Sequence, residues 1–461
     1  MSAEKVNQLF WLNYGQAIKD KAGANFGSTG VFFLASETQK GPLAGNDVLD
    51  VYTNRGIYDV GNNLLATDNL FYTPSSLHGY VEALSTFLWW VDLGGKSNVN
   101  LDSAERQALL DLDASQKWQL TEMRKAAAQF KEEKELGLVP TGDFYDWVQN
   151  GNATAYSAAV KDVKDKGQAL AMIQGQKAGP MSPARDADLS KLTKALDQSK
   201  DYPGFNFASA MGNPPNPAEL IRKQKSGEKV PDPPTSRIPV YNAPLYKKAV
   251  QDAMQYAIDS KHEPKNSVGI EIDLGKSTSD FHFGHTQGGA SVDVSYGGWF
   301  SFSANASHEE ESQTLDTHDE GSEVSVKLLY DTIEKVPIST GDWQIDVSKY
   351  KLRDDAPKDT RTLAKVNEMV IVTYLGYEIT VGTKTASSLD TKFKQTTSAG
   401  GSVRVFGIPI GLGGSGSSTE EHNTHVASWD NAKKTFRVLP APDNGFATII
   451  GVIGEKFTLA T

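Results

Sequence analysis

The chain has 461 residues, a formal net charge of −11 and no cysteine. A chain of this length can bury a large core, and typical domain sizes predict two or three domains. The lack of cysteine excludes disulfides, thiolate metal sites and cysteine nucleophiles, and it fits a reducing compartment. The basic residues are scattered in an acidic chain, so we expect no nucleic-acid partner.

The N-terminal sequence MSAEKVNQLFWLNYG has no basic stretch followed by an apolar one. No window of the sequence approaches the roughly 18 apolar residues of a membrane span. We therefore expect neither a signal peptide nor a transmembrane segment, and a cytoplasmic location.

Short apolar runs separated by Gly, Asn, Asp and Pro predict strands and turns in residues 1–75. Residues 79–93 then predict a helix that ends before Gly94 and carries Phe87, Trp89 and Trp90. Aromatic side chains are buried mainly for their area, which favours a core role for this helix. The alternative is the aromatic wall of a pocket for an apolar ligand.

Apolar residues at alternating spacings of three and four predict two further helices, over residues 103–136 and 153–174. Asp102 and Glu105 match a capping box at the start of the first. The two segments can pack as an antiparallel helical hairpin. We expect a packed structural hairpin, and the alternative is an extruded hairpin that binds a membrane or a partner.

Residues 202–242 are rich in proline and poor in apolar residues, so they predict an extended linker or surface strap. A last helix is predicted to begin at Pro244. The predicted organisation is therefore a mixed and helical domain over residues 1–201, the linker over 202–242, and a β-rich domain over 243–461.

From residue 267 onward the apolar period changes from helical to two, which indicates strands. The alternation is clearest in residues 270–274, 292–296, 300–303, 324–328, 377–381 and 403–405. Frequent turn residues favour an antiparallel sandwich or curved sheet over a βαβ arrangement. The predicted fold class is α+β, helical first and β-rich second.

One Gly/Ser pattern occurs twice in the β-rich part. Residues 288–310 and 400–421 share paired glycines, alternating valines, a Gly-flanked apolar stretch, a Ser-rich tail and paired glutamates. This duplicated hairpin pattern predicts two repeats that face each other, or two β-subdomains of common design.

Six of the eight histidines form three sequence pairs in the β-rich part: His282 and His285, His308 and His318, His422 and His425. Imidazoles bind transition metals, and converging pairs could build a site. In a strand, however, residues three apart point to opposite faces, which favours solvated or hydrogen-bonding histidines. We expect no cofactor, and a transition metal held by these residues is the alternative.

Motifs for catalysis are not found. Residues 269–277 have five residues between the glycines where a phosphate-binding loop needs four. Neither a dinucleotide fingerprint in a βαβ context nor a Gly-x-Ser-x-Gly elbow is present. A catalytic site built from scattered residues leaves no motif, so whether the protein is an enzyme stays open.

Several strings resemble those of a family of uncharacterised proteins encoded by filamentous fungi. They are residues 11–15, 58–62, 90–93, 349–353, 355–357, 375–378, 406–416 and 451–457. The resemblance runs along nearly the whole chain. No activity is known for that family, so the resemblance implies no functional residue.

Residues 292–306 and 402–413 have the length and alternation of membrane-spanning β-strands, which need about 9 to 11 residues. An ordinary half-buried sandwich strand has the same period. Our leading hypothesis is a non-enzymatic interaction protein, toxin-like or membrane-active in the manner of pore-forming proteins, with a membrane or protein partner. The alternative is an enzyme acting on an apolar small molecule, with a pocket beside the Trp-bearing helix and possible assistance from a histidine-bound metal.

Overall fold

The structure is a computed structural model. It describes residues 3–23, 29–42, 44–45, 48, 50–63, 65–66, 70–72, 79–95, 99–136, 138, 147–196, 206–208, 236–257, 263–270, 276–277, 280–284, 298–303, 313–314, 324–361, 363–398, 401–412, 425–440 and 447–457.

The α+β fold class is confirmed, with helices concentrated in the first part of the chain and strands in the second. The helices are α1 Ala3–Lys21, α2 Asp50–Gly61, α3 Tyr80–Trp89, α4 Val99–Glu135, α5 Thr154–Lys177, α6 Ser182–Leu196, α7 Pro244–Ala257, α8 Lys358–Arg361 and α9 Thr383–Ser398. A π-helical turn, Val148–Asn152, precedes α5, and a 3₁₀ turn covers Val347–Lys349.

Most strands are short and most pairs are antiparallel. The strands are β1 Gly30–Lys40, β2 Leu65–Ala66, β3 Phe71–Tyr72, β4 Asn206–Ala208, β5 Ser236–Ile238, β6 Tyr241–Asn242, β7 Asn266–Ile270, β8 Phe300–Ser303, β9 Gln313–Thr314, β10 Val324–Tyr330, β11 Thr332–Pro337, β12 Ser339–Thr340, β13 Leu363–Thr373, β14 Gly376–Val381, β15 Ser402–Val405, β16 Ile408–Gly411, β17 His425–Asp430, β18 Thr435–Pro440 and β19 Thr448–Lys456. The longest strands are β1, β13 and β19.

A central sheet joins the two ends of the chain. Its order is β11-β13-β19-β1-β3, and β2 also pairs with β13. β1 runs antiparallel to β19, with Val31 opposite Gly454. Because successive side chains of β1 point to opposite faces, Phe32 contributes to one hydrophobic core and Val31 to another. The first and second parts of the sequence therefore share this sheet and both cores.

Two further sheets pack against the first core, which is the one that contains Phe32. One has the order β17-β18-β14-β10-β7 and the other the order β16-β15-β8-β9. Side chains of α1 and α9, including Trp11 and Leu389, complete this first core. Side chains of α3 and α7, including Leu84 and Tyr246, belong to the second core on the opposite face of the central sheet.

The prediction of strands and turns over residues 1–75 is partly wrong, since α1 and α2 are helices. In α1 the buried side chains Val6, Phe10, Tyr14 and Ile18 recur every four residues, which is a helical spacing. Leu9, Trp11 and Leu12 between them are buried as well, so the apolar pattern is not one-sided. The helix α9 within the β-rich part was not predicted, because its sequence is rich in Thr and Ser, which are weak helix formers.

The helices predicted over residues 79–93, 103–136 and 153–174, and the one beginning at Pro244, are confirmed, with shifts of a few residues at their ends. α4 already begins at Val99, so Asp102 and Glu105 lie inside the helix and do not cap it. Within the predicted linker, only residues 206–208 and 236–242 lie in the described part of the chain. Among the described residues, no helix is both long and apolar enough to cross a bilayer.

Candidate functional site

The two similar Gly/Ser segments meet in one sheet. β8 from the first segment pairs antiparallel with β15 from the second, with Phe302 opposite Val403 and Ser303 opposite Ser402. β9 and β16 extend the sheet on either side. We call these four strands the hairpin sheet. The segments were predicted to face each other or to form separate subdomains, whereas their described strands lie edge to edge.

One face of the hairpin sheet is apolar and fully buried. Apolar and polar side chains alternate along each strand, and the pairing register places the apolar ones of neighbouring strands on the same face. The apolar face consists of Phe300, Phe302, Val403, Val405, Ile408 and Ile410, all members of the first core. The opposite face carries Ser301, Ser402 and the half-buried Arg404. Both segments therefore contribute to one amphipathic surface.

A two-residue turn joins β15 to β16. Phe406 has φ 46° and Gly407 has φ 78°, so both central residues are left-handed, as a type I′ hairpin turn requires. Glycine adopts this conformation freely, but a bulky residue does so only when its surroundings hold it. Here the ring of Phe406 stacks on that of Tyr14, with centroids 4.0 Å apart and planes 11° apart. Packing against α1 thus holds the turn.

The helix α1 also holds the strand β8. The side-chain oxygen Oδ1 of Asn7 accepts a hydrogen bond of 2.8 Å from the backbone N–H of Trp299. The indole of Trp299 stacks on the ring of Phe10 at 4.2 Å with planes 6° apart. The backbone N–H of Phe406 in turn donates to the carbonyl of Trp299. α1 is therefore the element that fixes both hairpins against the core.

Two of the six candidate metal-binding histidines lie among the described residues. His282 is exposed, and its carbonyl accepts a hydrogen bond from Lys19 Nζ at 2.5 Å. His425 is buried at the start of β17, where its Nε2 lies 2.9 Å from the carbonyl oxygen of Leu375. Since a carbonyl only accepts, Nε2 carries the proton and donates. Burial lowers the pKa of His425 to about 4, so the imidazole is neutral at pH 7.

The other four, His285, His308, His318 and His422, lie outside the described residues. Across the part of the chain that the structure describes, no group of three or more His, Asp or Glu side chains is arranged to hold a metal ion. A transition-metal site at the histidine pairs stays a prediction.

The aromatic residues of α3 lie in the second core. Phe87 is fully buried, edge-on to Tyr350 and Phe457 at centroid distances of 6.3 and 5.8 Å. Trp90 is buried as well, and Trp89 is half-buried with the guanidinium carbon of Arg185 5.2 Å from its ring centroid. Protein side chains thus cover Phe87 and Trp90, two of the three positions considered for a pocket wall, and leave the third, Trp89, partly exposed.

A buried ion cluster beside α3 was not predicted from the sequence. Its centre is Glu105, whose carboxylate accepts from Lys177 Nζ at 2.6 Å, from Gln174 Nε2 at 2.9 Å and from Arg353 Nη1. Asp102 also contacts Lys177, at 2.5 Å. Burial lowers the pKa of Lys177, but its hydrogen bonds to the two carboxylates outweigh this and leave the pKa above its usual value.

A second buried carboxylate lies nearby, on α6. Asp188 accepts from the Tyr350 hydroxyl at 2.9 Å and from Lys349 Nζ at 2.7 Å. Buried Arg185 donates to the side chain of Gln174, which connects α6 to the ion cluster. These bonds tie α4, α5 and α6 to residues 349–355, which lie between two strands of the β-rich part. Each charged side chain of these contacts lies next to one of opposite charge, as buried charges need in order to stabilise a fold.

Comparisons of the chain with protein-family models, with curated proteins and with solved structures found no match. The resemblance to a fungal family therefore stays a prediction, and the function has to be argued from the geometry.

Proposed function

We propose that this is a non-enzymatic interaction protein that acts on lipid bilayers in the manner of pore-forming proteins, with the hairpin sheet as its membrane-active element. The observation that carries the proposal is the direct pairing of β8 with β15, which gives two distant Gly/Ser segments one apolar face and one polar face. A toxin-like role is the biological setting that such an activity fits.

The sequence around β8 supports a strand of the required length. Residues 292–306 keep apolar and polar residues largely in alternation beyond the short strand β8, whereas in residues 402–413 the alternation changes phase at the Phe406-Gly407 turn between β15 and β16. A strand that crosses a bilayer in a barrel places apolar side chains in lipid and polar ones in the lumen, over about 9 to 11 residues. Serine and glycine on the polar face are compatible with a water-filled interior.

The cost of exposing the apolar face to water favours a lipid bilayer as the partner that draws the hairpin sheet away from α1. Exposing its six buried apolar side chains to water would cost roughly 9 to 18 kcal/mol, at about 1.5 to 3 kcal/mol each. In water the sheet therefore stays packed on α1. A hydrocarbon environment removes most of that cost, so release of the apolar face is favourable only where a bilayer receives it.

A disulfide between α1 and the hairpin sheet tests the proposal. Because the chain has no cysteine, Asn7→Cys with Gly298→Cys creates a single disulfide. The side chain at position 7 already reaches the backbone of Trp299, next to residue 298, which suits the short span of a disulfide. The readout is release of a self-quenched dye from phosphatidylcholine vesicles, measured with the same sample oxidised and reduced.

Since Asn7→Cys removes the hydrogen bond to Trp299, we expect the reduced protein to release dye at least as fast as the unmodified chain. The oxidised protein should release it at least tenfold more slowly than the reduced one. The matched control is Ser325→Cys with Thr380→Cys, which are opposite residues of β10 and β14 outside the hairpin sheet. Its disulfide should leave release unchanged. Equal release by the oxidised and reduced Asn7/Gly298 variant, or no release by the unmodified chain, would contradict the proposal.

A further inference from the structure

The polar face of the hairpin sheet carries an unpaired cation. Of the residues that the structure describes in its four strands, with the sequences FSFS, QT, SVRV and IPIG, only Arg404 on β15 is charged. This arginine is half-buried, and in the described part of the chain its guanidinium has neither an ion-pair nor a hydrogen-bond partner. Its nitrogens are not fully buried, so an anion can reach them from solvent.

Two serine side chains flank Arg404 on the same face. Ser301 on β8 is directly opposite Arg404 in the antiparallel register, and Ser402 lies two residues before it on β15. Opposite residues of such a pair have Cβ atoms about 4.5 to 5.5 Å apart, and alternate residues of one strand are about 6 to 7 Å apart. One small ligand can therefore contact all three side chains.

The two serine hydroxyls are nearly buried and unpaired. Ser301 is 7% exposed and Ser402 is 6% exposed, although the alternation along the strands places both on the face opposite the first core. Among the described residues neither hydroxyl makes a hydrogen bond, whereas most buried hydroxyls have a partner. Two unused O–H donors beside an unpaired guanidinium indicate a ligand that carries negative charge and accepts hydrogen bonds.

The arrangement of these donors favours a phosphate group over a carboxylate. A carboxylate is planar, and a guanidinium that binds both of its oxygens leaves the other acceptor positions in that same plane. A phosphate group is tetrahedral, so it has oxygens outside the plane of the guanidinium. Those oxygens can accept from hydroxyls at the surface of the sheet while the other two are bound by the arginine.

We propose that Arg404, Ser301 and Ser402 form a binding site for a phosphate group on the polar face of the hairpin sheet. The guanidinium supplies the positive charge and two N–H donors, and each serine donates one hydrogen bond. The phosphate of a lipid headgroup and that of a soluble phosphate ester offer the same oxygens to this site. The site is independent of the membrane activity proposed above.

Calorimetric titration with inorganic phosphate, at pH 7 and constant ionic strength, tests the site. We compare the unmodified chain with Arg404→Gln, which removes the charge, and with Ser301→Ala/Ser402→Ala, which removes both hydroxyls. The matched control is Arg437→Gln. Arg437 is also a half-buried arginine on a strand, but its charge is already paired with Glu263.

We expect phosphate to bind equally to the unmodified chain and to the control. Binding should weaken at least tenfold in Arg404→Gln and at least threefold in the double serine variant, because each loses hydrogen bonds to a charged group. Arg404→Lys keeps the charge without the planar guanidinium, so its affinity should lie between those of the unmodified chain and Arg404→Gln. Acetate should bind at least tenfold more weakly than phosphate. Circular dichroism verifies the fold of each variant.

Vesicles distinguish the two sources of the phosphate group. Flotation of the unmodified chain with vesicles that contain one third phosphatidic acid, lost in Arg404→Gln, would assign the site to a lipid headgroup. Binding of inorganic phosphate without such flotation would assign it to a soluble phosphate compound. Both results support the site.

Four results would overturn the phosphate site: no binding of phosphate by the unmodified chain, equal binding by Arg404→Gln, an equal loss in Arg437→Gln, or acetate binding as tight as that of phosphate. Phosphate binding by a protein that releases no dye from vesicles would contradict the proposed pore-forming function alone. The two failures are therefore distinguishable.

Discussion

The hydroxyl groups of Tyr14 and Tyr377 lie 2.7 Å apart in a hydrogen bond inside the core, although 363 positions separate them in the sequence. Burial raises the pKa of both phenols, so both stay protonated and one donates to the other. The bond joins α1, which holds the hairpin sheet, to β14 in the neighbouring sheet. It therefore stabilises the state in which the hairpin sheet is packed on α1, from which the proposed activity starts.

Removal of one hydroxyl of this pair should cost more than removal of both. Tyr14→Phe or Tyr377→Phe leaves a buried hydroxyl without its partner, and we expect a loss of about 1 to 3 kcal/mol in the free energy of unfolding. The double variant leaves no orphan and should be within about 1 kcal/mol of the unmodified chain. Urea denaturation of the four proteins measures this, and additive losses would contradict the shared bond.

The ion cluster around Glu105 should be sensitive to loss of that one carboxylate. Glu105→Gln keeps the shape of the side chain but removes its charge. Among the described residues this leaves Asp102 as the carboxylate partner of Lys177 and Asp355 as that of Arg353, and both cations are largely buried. We expect a loss of about 3 kcal/mol. The control Asp113→Asn breaks an exposed pair with Lys117 on the same helix and should cost less than about 0.5 kcal/mol. Equal effects in thermal melting would contradict a buried cluster.

His425 should make the protein less stable in mild acid. Its pKa falls from an ordinary value near 6.5 to about 4 in the folded protein, so the unfolded chain binds the extra proton more readily. The stability due to the neutral imidazole is complete above pH 6.5 and is lost as the pH falls to about 4, up to about 3 kcal/mol. Urea denaturation at pH 7 and pH 5 measures the loss.

The matched control for this pH dependence is the exposed His282. His425→Gln should flatten the change in stability between pH 6.5 and 4, whereas His282→Gln should leave it as it is. An unchanged slope in His425→Gln would show that other groups carry the acid sensitivity.

The turn at Phe406 should depend more on its packing than on its backbone conformation. Phe406→Asn gives the Asn-Gly pair that type I′ turns prefer, but it removes a buried ring, so we expect a net loss of about 3 kcal/mol. Lys434 also has a positive φ, 54°, and is half-buried, with its Nζ donating to Thr383 Oγ1 at 2.6 Å. Lys434→Asn relieves the backbone but removes that hydrogen bond, so stability should change by less than about 1 kcal/mol. Chemical denaturation distinguishes the two, and a gain in Phe406→Asn would contradict the packing argument.

Elements with a regular apolar period were predictable from the sequence, and those shaped by distant partners were not. The helix ending near Trp90 and the strand at Val403 follow from spacing alone. α1 was missed because both of its apolar sides are covered, by Phe283 near Gly15 and by Phe406 near Tyr14, which blurs the one-sided pattern of a surface helix.

The sequence predicts which segments form the candidate site, but it does not predict how those segments pair. The duplicated Gly/Ser pattern marked both strands of the β8 and β15 pair, yet their register depends on partners about a hundred residues apart. Glu105 fitted a capping box on local spacing, while its true partners Lys177 and Arg353 come from other elements. A single sequence does not show that a carboxylate is buried among charged partners when those partners are distant in the chain.

The central claim is that, in a bilayer, the apolar face of the hairpin sheet contacts lipid and its polar face contacts water. Val403 and Arg404 are neighbours on β15 and point to opposite faces, and the chain has no other cysteine to interfere with labelling. Val403→Cys and Arg404→Cys, each carrying one fluorophore, are bound to vesicles that contain a lipid-borne quencher. We predict quenching of the label at position 403 and none at 404. Equal quenching at both positions, or none at either, would contradict the claim.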